Sequence, residues 1–448
     1  MQEFDLSVIG TGTAGRGVAM RCCKAGWRVA VVDHLPFGGT CALRGCDPKK
    51  VLVGAAAAVD HARRMQGKGI AEASGIAWPD LMAFKRSFTE PVPPAQEESY
   101  AEAGVATFHG QARFTGASSL EVDGASLEAG RVLIATGARP APLPIPGAEH
   151  LTTSDAFLGL ERLPRRLALV GGGYIAAEFS HIAARAGVEV IVLQRGPRLL
   201  PHFDPDLVDW LMEKFQAVGI DVRTGTDVRA IEKSSNGFRI AAAANDGRGA
   251  TFEADLVVHA AGRVPEFDGL DPERAGLAVK DGRLELNEFL QSVSNPAVYA
   301  AGDAAASGPP LTPVASHDAE IIAENLLTGN SRKPDHRGVP TVAFTLPPIA
   351  AVGVSEAEAR DRGLRFRMKA EKASGWYTAR QAAEPVYGFK VLVDEDTDRI
   401  LGAHLVGPHA EEVINLFALA IRHGLTAAAL KETIFAYPTG ASDLDYML

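Results

Sequence analysis

The sequence predicts an α/β fold, and three observations predict it. A strand, a glycine turn, a helix and a second strand occur in that order over residues 4–33. The same order recurs at residues 166–193, far enough downstream to be domain duplication rather than a short-period repeat. After about Gly338 the texture changes to a hairpin with an acidic turn, followed by one amphipathic helix. Together these predict two Rossmann-like dinucleotide-binding domains and a C-terminal α+β domain.

Along the chain, FDLSVIG (4–10) reads as a buried strand, residues 16–25 as a helix and WRVAVVD (27–33) as a second strand. Short apolar runs broken by Gly and Asp make 108–134 a small antiparallel excursion, and the Pro-rich stretch 139–147 reads as a crossing between domains. RLALV (166–170), the glycine turn and helix of 171–187 and VEVIVL (188–193) form the second βαβ unit, and an αβ-like stretch continues to 262. VYAAGD (298–303) is a strand entering a glycine turn. Residues 389–407 form the expected hairpin, and 410–424 the amphipathic helix, stopped by Gly424.

Composition narrows the function. The chain has 448 residues, 46% hydrophobic, with a formal net charge of −10 and a pI near 5.7. With no dense Lys/Arg tract, nucleic acid and anionic membranes are poor partners. No apolar run approaches the roughly 20 residues that span a bilayer, and the N-terminus lacks the pattern of a secretory signal, so a cytosolic protein is expected. Four cysteines in so long a chain are not a secreted disulfide framework.

The motifs then carry the chemistry. In Gly10-x-Gly12-x-x-Gly15 the first glycine permits the tight turn, the second lets a pyrophosphate approach the backbone and the third allows helix and strand to pack closely. The helix N-terminus faces the phosphates, and Asp33, ending the second strand, can accept from a ribose. The second motif, Gly171-x-Gly173-x-x-Ala176, lacks that acid. Gln194 stands in its place, with Arg195 and Arg198 close behind, a set that suits a 2′-phosphate and favours NADPH over NADH. On a regular helix Cys41 and Cys46 would lie roughly 8–9 Å apart, whereas a disulfide needs about 4.4–6.8 Å. A bond between them therefore needs a distorted segment, which Gly45 and Pro48 permit. Alone, the spacing fits two buried cysteines equally well. Beside a dinucleotide motif and next to Lys49 and Lys50, whose charge favours a thiolate, it reads as a redox pair. Cys22 and Cys23, on the first predicted helix, read as small core residues.

These features resemble the pyridine nucleotide–disulfide oxidoreductases, the family of glutathione reductase, lipoamide dehydrogenase and mercuric reductase. Residues 38–50, GGTCALRGCDPKK, resemble its active-site disulfide segment. Ala135-Thr136-Gly137, residues 261–265 (AGRVP), residues 299–303 (YAAGD) and residues 312–315 (TPVA) resemble further family motifs, in the family's order. The resemblance implies FAD held by Gly10, Gly12, Gly15, Asp33, Gly39, Thr40, Ala112, Thr136, Gly137, Gly302, Asp303 and Ala315. It implies a nicotinamide nucleotide held by Gly171, Gly173, Tyr174, Ile175, Gln194, Arg195, Arg198 and Gly262. It further implies Cys46 as the flavin-side thiolate, Cys41 as the interchange thiol, Glu178 paired with Lys49 or Lys50, and Tyr174 over the nicotinamide. The expected division is residues 1–147 and 266–337 for FAD, 148–265 for the nicotinamide nucleotide and 338–448 for a dimerisation domain that makes a homodimer.

The departures bear on the substrate. Where relatives carry a C-terminal His and, five residues on, a Glu, this chain has Tyr437 and Ser442, with Asp443 out of register. A phenol ordinarily titrates near about 10 and is a poor acid–base near neutrality. Mercuric reductases resemble the chain in carrying Tyr there, but no C-terminal cysteine pair follows it here. Met20 and Glu320 occupy the approximate places of two glutathione-binding arginines, which argues for a substrate less anionic than glutathione disulfide. The expected activity is an NADPH-oxidising flavin reductase acting through Cys41 and Cys46 on a small disulfide, metal ion or other soft electrophile. The alternatives are a flavin-centred oxidase or quinone reductase with a bypassed dithiol, or a redox subunit of a larger complex. The twelve histidines show no metal-ligand spacing such as HxxxH or HxxEH, and no metal site is expected.

Overall fold

The computed structural model describes residues 2–73 and 75–448. They fold as two compact units: the chain up to Lys49 with Phe84–Ala141 and Arg263–His336, and Lys50–Ala83 with Pro142–Gly262 and Arg337–Leu448.

In the first unit the sheet order is Ala106–His109, Val29–Asp33, Gln2–Ile9, Ala125–Ile134, Ser119–Val122, Ala112–Phe114, and Val298–Ala300 adds to Ala125–Ile134. Gln2–Ile9 pairs in parallel with Val29–Asp33 (Val8 opposite Val31) and with Ala125–Ile134 (Val8 opposite Leu133). Val29–Asp33 is buried along most of its length and carries a continuous apolar run, as parallel strands do, whereas Gln2–Ile9 and Ala125–Ile134 become fully buried only toward their C-terminal ends. The antiparallel excursion expected at 108–134 is present as the pairing of residues 112–114, 119–122 and 125–134. Helix α1 (Thr13–Lys24) follows the first glycine turn. Helix α2 (Gly39–Arg44) is short, and α3 (Cys46–Met65) starts two residues after it ends. The helix Thr312–Thr328 lies close on α1, where a β-carbon at Gly17 would sit 3.0 Å from that of Ala319. Cys22 is a core residue of this unit and burial pushes its thiol up to about 12. Cys23 donates to the Ala103 carbonyl at 3.0 Å. Both are structural, as expected.

The second unit holds a four-stranded parallel sheet in the order Ile220–Arg223, Glu189–Leu193, Arg166–Val170, Leu256–His259. Helix α4 (Tyr174–Arg185) follows the second glycine turn, and α5 (Pro205–Ala217) follows the second strand. The αβ-like stretch expected up to residue 262 is instead largely an antiparallel meander of Thr226–Ser234, Gly237–Ala244 and Gly249–Ala254. Asn236-Gly237 and Asp246-Gly247 sit at its two turns, and Asn-Gly and Asp-Gly are strong hairpin signals. The C-terminal part is a five-stranded antiparallel sheet. Its hairpin Gly388–Asp394 with Ile400–Val406 and its helix α6 (Ala410–His423), closed by left-handed Gly424, match the sequence reading. No helix among the described residues is long and apolar enough to cross a membrane.

A buried ion cluster ties this unit together. Asp60 of α3 accepts from Arg185 of α4 at 2.8 Å, from Lys214 of α5 at 3.2 Å and from Arg64 at 2.8 Å. Lys214 also meets Glu384 at 3.0 Å. Arg185, Lys214, Asp60 and Glu384 are each under a tenth exposed. Burial pushes the Asp60 carboxyl up, but the charges of Arg185 and Lys214 and the hydrogen bonds from Arg64 and Arg185 outweigh it and hold the group below its ordinary value. His181, wholly buried against Arg185 and Lys214, is held neutral, its proton affinity lowered by desolvation first and by those two cations second.

Asp60→Ala leaves buried cations without their shared counter-charge and should cost about 3–5 kcal/mol in urea unfolding. Because the folded pKa of Asp60 is depressed, its contribution is full above the unfolded carboxylate pKa of about 4 and is lost as pH falls through the lower folded value. The wild-type midpoint should therefore fall more steeply than that of the variant between about pH 5 and pH 3.

A dithiol beside a dinucleotide loop

In the first unit the chain must cross its own backbone. Gly10 has φ +104°, and a β-carbon there would lie 2.3 Å from the Ala135 carbonyl oxygen. Asp33 closes the same loop, accepting from the Thr11 amide at 2.9 Å, the Thr11 hydroxyl at 2.7 Å and the Leu35 amide at 3.0 Å. Gln96 adds a bond to the Thr11 carbonyl at 2.8 Å. Helix α1 begins at Gly12 with no side-chain cap and no acid in its first turn, which leaves its amides and partial positive charge to an anionic ligand. Thr136 donates to the Glu266 carbonyl, and the Glu266 amide returns a bond to Gly137 at 3.0 Å. A β-carbon at Gly302 would lie 3.2 Å from that of Ala315 and 3.7 Å from that of Ala14. Asp303 follows, its carboxyl raised by burial against a smaller opposing effect of Arg263. Ala112 is buried in the same sheet. Gly10, Gly12 and Gly15 leave bare backbone beside the Asp33 carboxylate, a lining that fits the pyrophosphate and ribose of a flavin dinucleotide.

The cysteine segment is laid on that lining. A β-carbon at Gly39 would sit 2.3 Å from the α-carbon of Gly12. Thr40 and Cys41 follow in α2. Gly45, at φ −142° and ψ −112°, breaks the helix, and Cys46 starts α3. The expected distortion between the cysteines is therefore this helix break. Both sulfurs are thiols, and both meet one hydroxyl: Thr312 donates to Cys41 Sγ at 3.1 Å and lies 3.5 Å from Cys46 Sγ. The two thiols are unequal. The hydrogen bond from Cys41 lowers the Cys46 thiol to about 6, with Thr312 and the Lys49 charge assisting and burial and Asp47 opposing. The same bond, with burial, pushes Cys41 well up. The sequence places Thr312 in a segment that resembles a family motif, but its bond to the sulfurs was not legible there, since nothing local ties residue 312 to residues 41 and 46.

In the second unit the glycine device is repeated. Gly171 has φ +119°, and a β-carbon there would lie 2.1 Å from the Ala260 carbonyl oxygen. Gly173 starts α4, again with no side-chain cap and no acid in the first turn. Ile175 is half-buried, and Gly262 lies just beyond the strand end that receives Gly171. Gln194 folds over Gly172 and donates to the Arg198 carbonyl at 3.2 Å. Arg195 and Arg198 are exposed. Tyr174 is half-buried, its hydroxyl 2.7 Å from that of Thr341, and burial raises its phenol. Glu178 is buried, and its Oε1 accepts the Phe344 amide at 2.8 Å. The Lys50 ammonium stands 3.7 Å over the Phe344 ring. Lys50 thus shares a residue with Glu178, whereas Lys49 acts on Cys46 through charge.

Near the C-terminus, Tyr437 is 77% exposed and its ring neighbours Tyr377 at 6.3 Å. Ser442 bonds back to Thr439 in a capping box. Asp443 is buried and accepts the Tyr387 hydroxyl at 2.5 Å. Neither is turned to serve Tyr437. Glu320 pairs with Arg21 at 2.7 Å, so it is not the bare repelling charge that the sequence implied.

Residues 4–319 match the pyridine nucleotide-disulphide oxidoreductase family, and residues 339–447 match the dimerisation domain of that family. The chain belongs to this family. A glutathione reductase of Burkholderia cepacia is 34% identical, the alignment covering 98% of this chain and 97% of that one. A mercuric reductase of Staphylococcus aureus is also 34% identical, over 99% of this chain and 81% of that one. Among solved structures, the Cu(II) complex of the HOCl-induced flavoprotein disulfide reductase RclA from Escherichia coli aligns at a TM-score of 0.90 and 28% identity, over 100% of this chain and 99% of that one. Members are FAD-dependent enzymes that use NAD(P)H.

Alkylation of the dithiothreitol-reduced protein by iodoacetamide should show Cys46 reacting with a pH midpoint near 6. Cys41→Ala removes the main cause and should move that midpoint up by about one unit or more, and Thr312→Val should move it less. An unchanged midpoint in Cys41→Ala would show that the thiols are not coupled.

Proposed function

We propose that this chain is an NADPH-oxidising flavin reductase that passes electrons to the Cys41–Cys46 pair and on to a small disulfide, a metal ion or another soft electrophile. The observation that carries the reading is the pair of unequal thiols bonded to one hydroxyl beside the glycine cradle. In this reading residues 1–147 and 266–337 hold FAD, 148–265 hold NADPH and 338–448 pair two copies as a homodimer.

Bound FAD supplies two-electron exchange between the nicotinamide nucleotide and the cysteine disulfide. The chain does the rest. Gly10, Gly12 and Gly15 admit the pyrophosphate, and the free N-terminus of α1 offsets its charge. Reduction of the disulfide by two electrons and one proton leaves Cys41 as thiol and Cys46 as thiolate, the distribution that the hydrogen bond between them favours. For a disulfide substrate, Cys41 sulfur attacks one sulfur of the substrate and expels the other as thiolate, which takes up the Cys41 proton. Cys46 sulfur then displaces the remaining half and restores the Cys41–Cys46 bond. Thr312, in reach of both sulfurs, donates to whichever carries charge. Arg195 and Arg198 supply cations where Gln194 replaces the ribose-binding acid, which supports NADPH over NADH.

The acceptor must be one that does not depend on a strong acid–base at position 437, because Ser442 and Asp443 are both engaged elsewhere. A solved neighbour carrying copper(II) adds a soft or borderline metal ion to the candidates. The same absence supports a second reading, in which acceptors are reduced at the flavin and the dithiol is bypassed. Cys41→Ser separates the two. On the main reading, anaerobic NADPH gives wild type a long-wavelength absorption band from the Cys46 thiolate, and Cys41→Ser loses turnover of disulfides. NADPH oxidation that survives Cys41→Ser with every acceptor would overturn it.

Replacing Arg195 and Arg198 together by Ala should lower kcat/KM for NADPH by about 10- to 100-fold while changing that for NADH little. An equal loss with both nucleotides would remove the argument for a 2′-phosphate site.

A further inference from the structure

Helix α4 carries four polar side chains on one stripe, Tyr174, Glu178, His181 and Arg185, spaced by four, three and four residues. All four bond to residues 341–346. Tyr174 meets the Thr341 hydroxyl at 2.7 Å, and Glu178 accepts the Phe344 amide at 2.8 Å. His181 Nδ1 accepts the Leu346 amide at 3.3 Å, and Arg185 donates to the Leu346 carbonyl at 3.3 Å. The helix that opens with the second glycine motif is thereby held at each turn to one short segment of chain. Within that segment Phe344 is singular. Its amide holds the buried Glu178 carboxylate, while its ring face holds the Lys50 ammonium at 3.7 Å.

We infer that Phe344 is a positioning residue that holds Lys50 and Glu178 as one charge pair, through its amide for the acid and its ring face for the base. The two attachments differ in what they require. Any residue but proline supplies the amide. Only an aromatic ring supplies a face whose quadrupole attracts a cation. An aliphatic residue of similar volume therefore keeps the amide bond to Glu178 and removes the ring-face contact to Lys50. The inference deepens the proposed function: it rests on flavin reduction by NADPH and places at that step the Glu178–lysine pair that the family resemblance implies.

The test uses the flavin-containing protein, with Phe344→Met as the variant that keeps volume without a ring, Phe344→Leu as a second should that one fold poorly, and Phe344→Tyr as the conservative control. Anaerobic flavin reduction by NADPH should slow by about 5- to 30-fold in Phe344→Met and stay within about twofold of wild type in Phe344→Tyr. Lys50→Met should slow it at least as much, and the Phe344→Met/Lys50→Met double variant should be no slower than Lys50→Met alone, because one interaction has been removed twice. The visible spectrum of the oxidised flavin is a readout independent of nucleotide, and it should move in the same direction in Phe344→Met and Lys50→Met and stay put in Phe344→Tyr. Rates in Phe344→Met equal to wild type, multiplicative losses in the double variant, or a spectrum that moves with Lys50→Met alone would each overturn the inference. Failure of either nicotinamide nucleotide to reduce wild-type flavin would instead overturn the proposed function, and the spectral comparison would still decide whether Phe344 and Lys50 act together.

Discussion

Both halves of this protein depend on a backbone passing where no side chain can. At Gly10 the carbonyl of Ala135 occupies the space of a β-carbon, and at Gly171 the carbonyl of Ala260 does the same. Each glycine has positive φ, so the turn is affordable only without a side chain. Each turn then delivers a helix whose first amides have no internal partner. The duplication visible in the motifs is thus a duplication of one steric solution.

The dithiol is grafted onto the first of these turns by the same means, a glycine against a glycine, Gly39 on Gly12. That contact settles where α2 starts, and the break at Gly45 settles how Cys46 stands to Cys41. Once the sulfurs are close, a shared hydrogen bond forces them apart in proton affinity, one down and one up. A thiol pair so divided is half prepared for exchange chemistry. The other half, an acid–base for the leaving thiol, is absent at position 437, where Ser442 is spent on a helix cap and Asp443 on Tyr387. On the proposed function, the divided thiols and the missing base together favour an acceptor whose leaving group needs little help.

The second unit uses charge rather than bare backbone to set its geometry. Asp60 gathers Arg185, Lys214 and Arg64 in a buried site, so α3, α4 and α5 cannot shift independently without exposing an uncompensated charge. Along the same helix α4, the stripe from Tyr174 to Arg185 reads residues 341–346 turn by turn. Tyr174 and Glu178 lie at the start of that stripe, and the buried ion cluster anchors its end.

What the sequence determined by itself was everything encoded in short spacing. The glycine motifs, the acid Asp33, the substitution of Gln194 for a second acid, the cysteine pair with its lysines and the C-terminal hairpin and helix are all set by neighbours within a few turns, and the structure has them where they were read. The meander of residues 226–254 was equally local, and its Asn-Gly and Asp-Gly turns were passed over. Only the tertiary structure decided the pairings across the chain: Thr312 on Cys41 and Cys46, Lys50 rather than Lys49 sharing Phe344 with Glu178, Arg21 covering Glu320, and Asp443 turned inward. Helical and strand periods dictate which face a residue occupies, but which distant group meets it depends on packing of whole elements, and so does the proton affinity of a thiol.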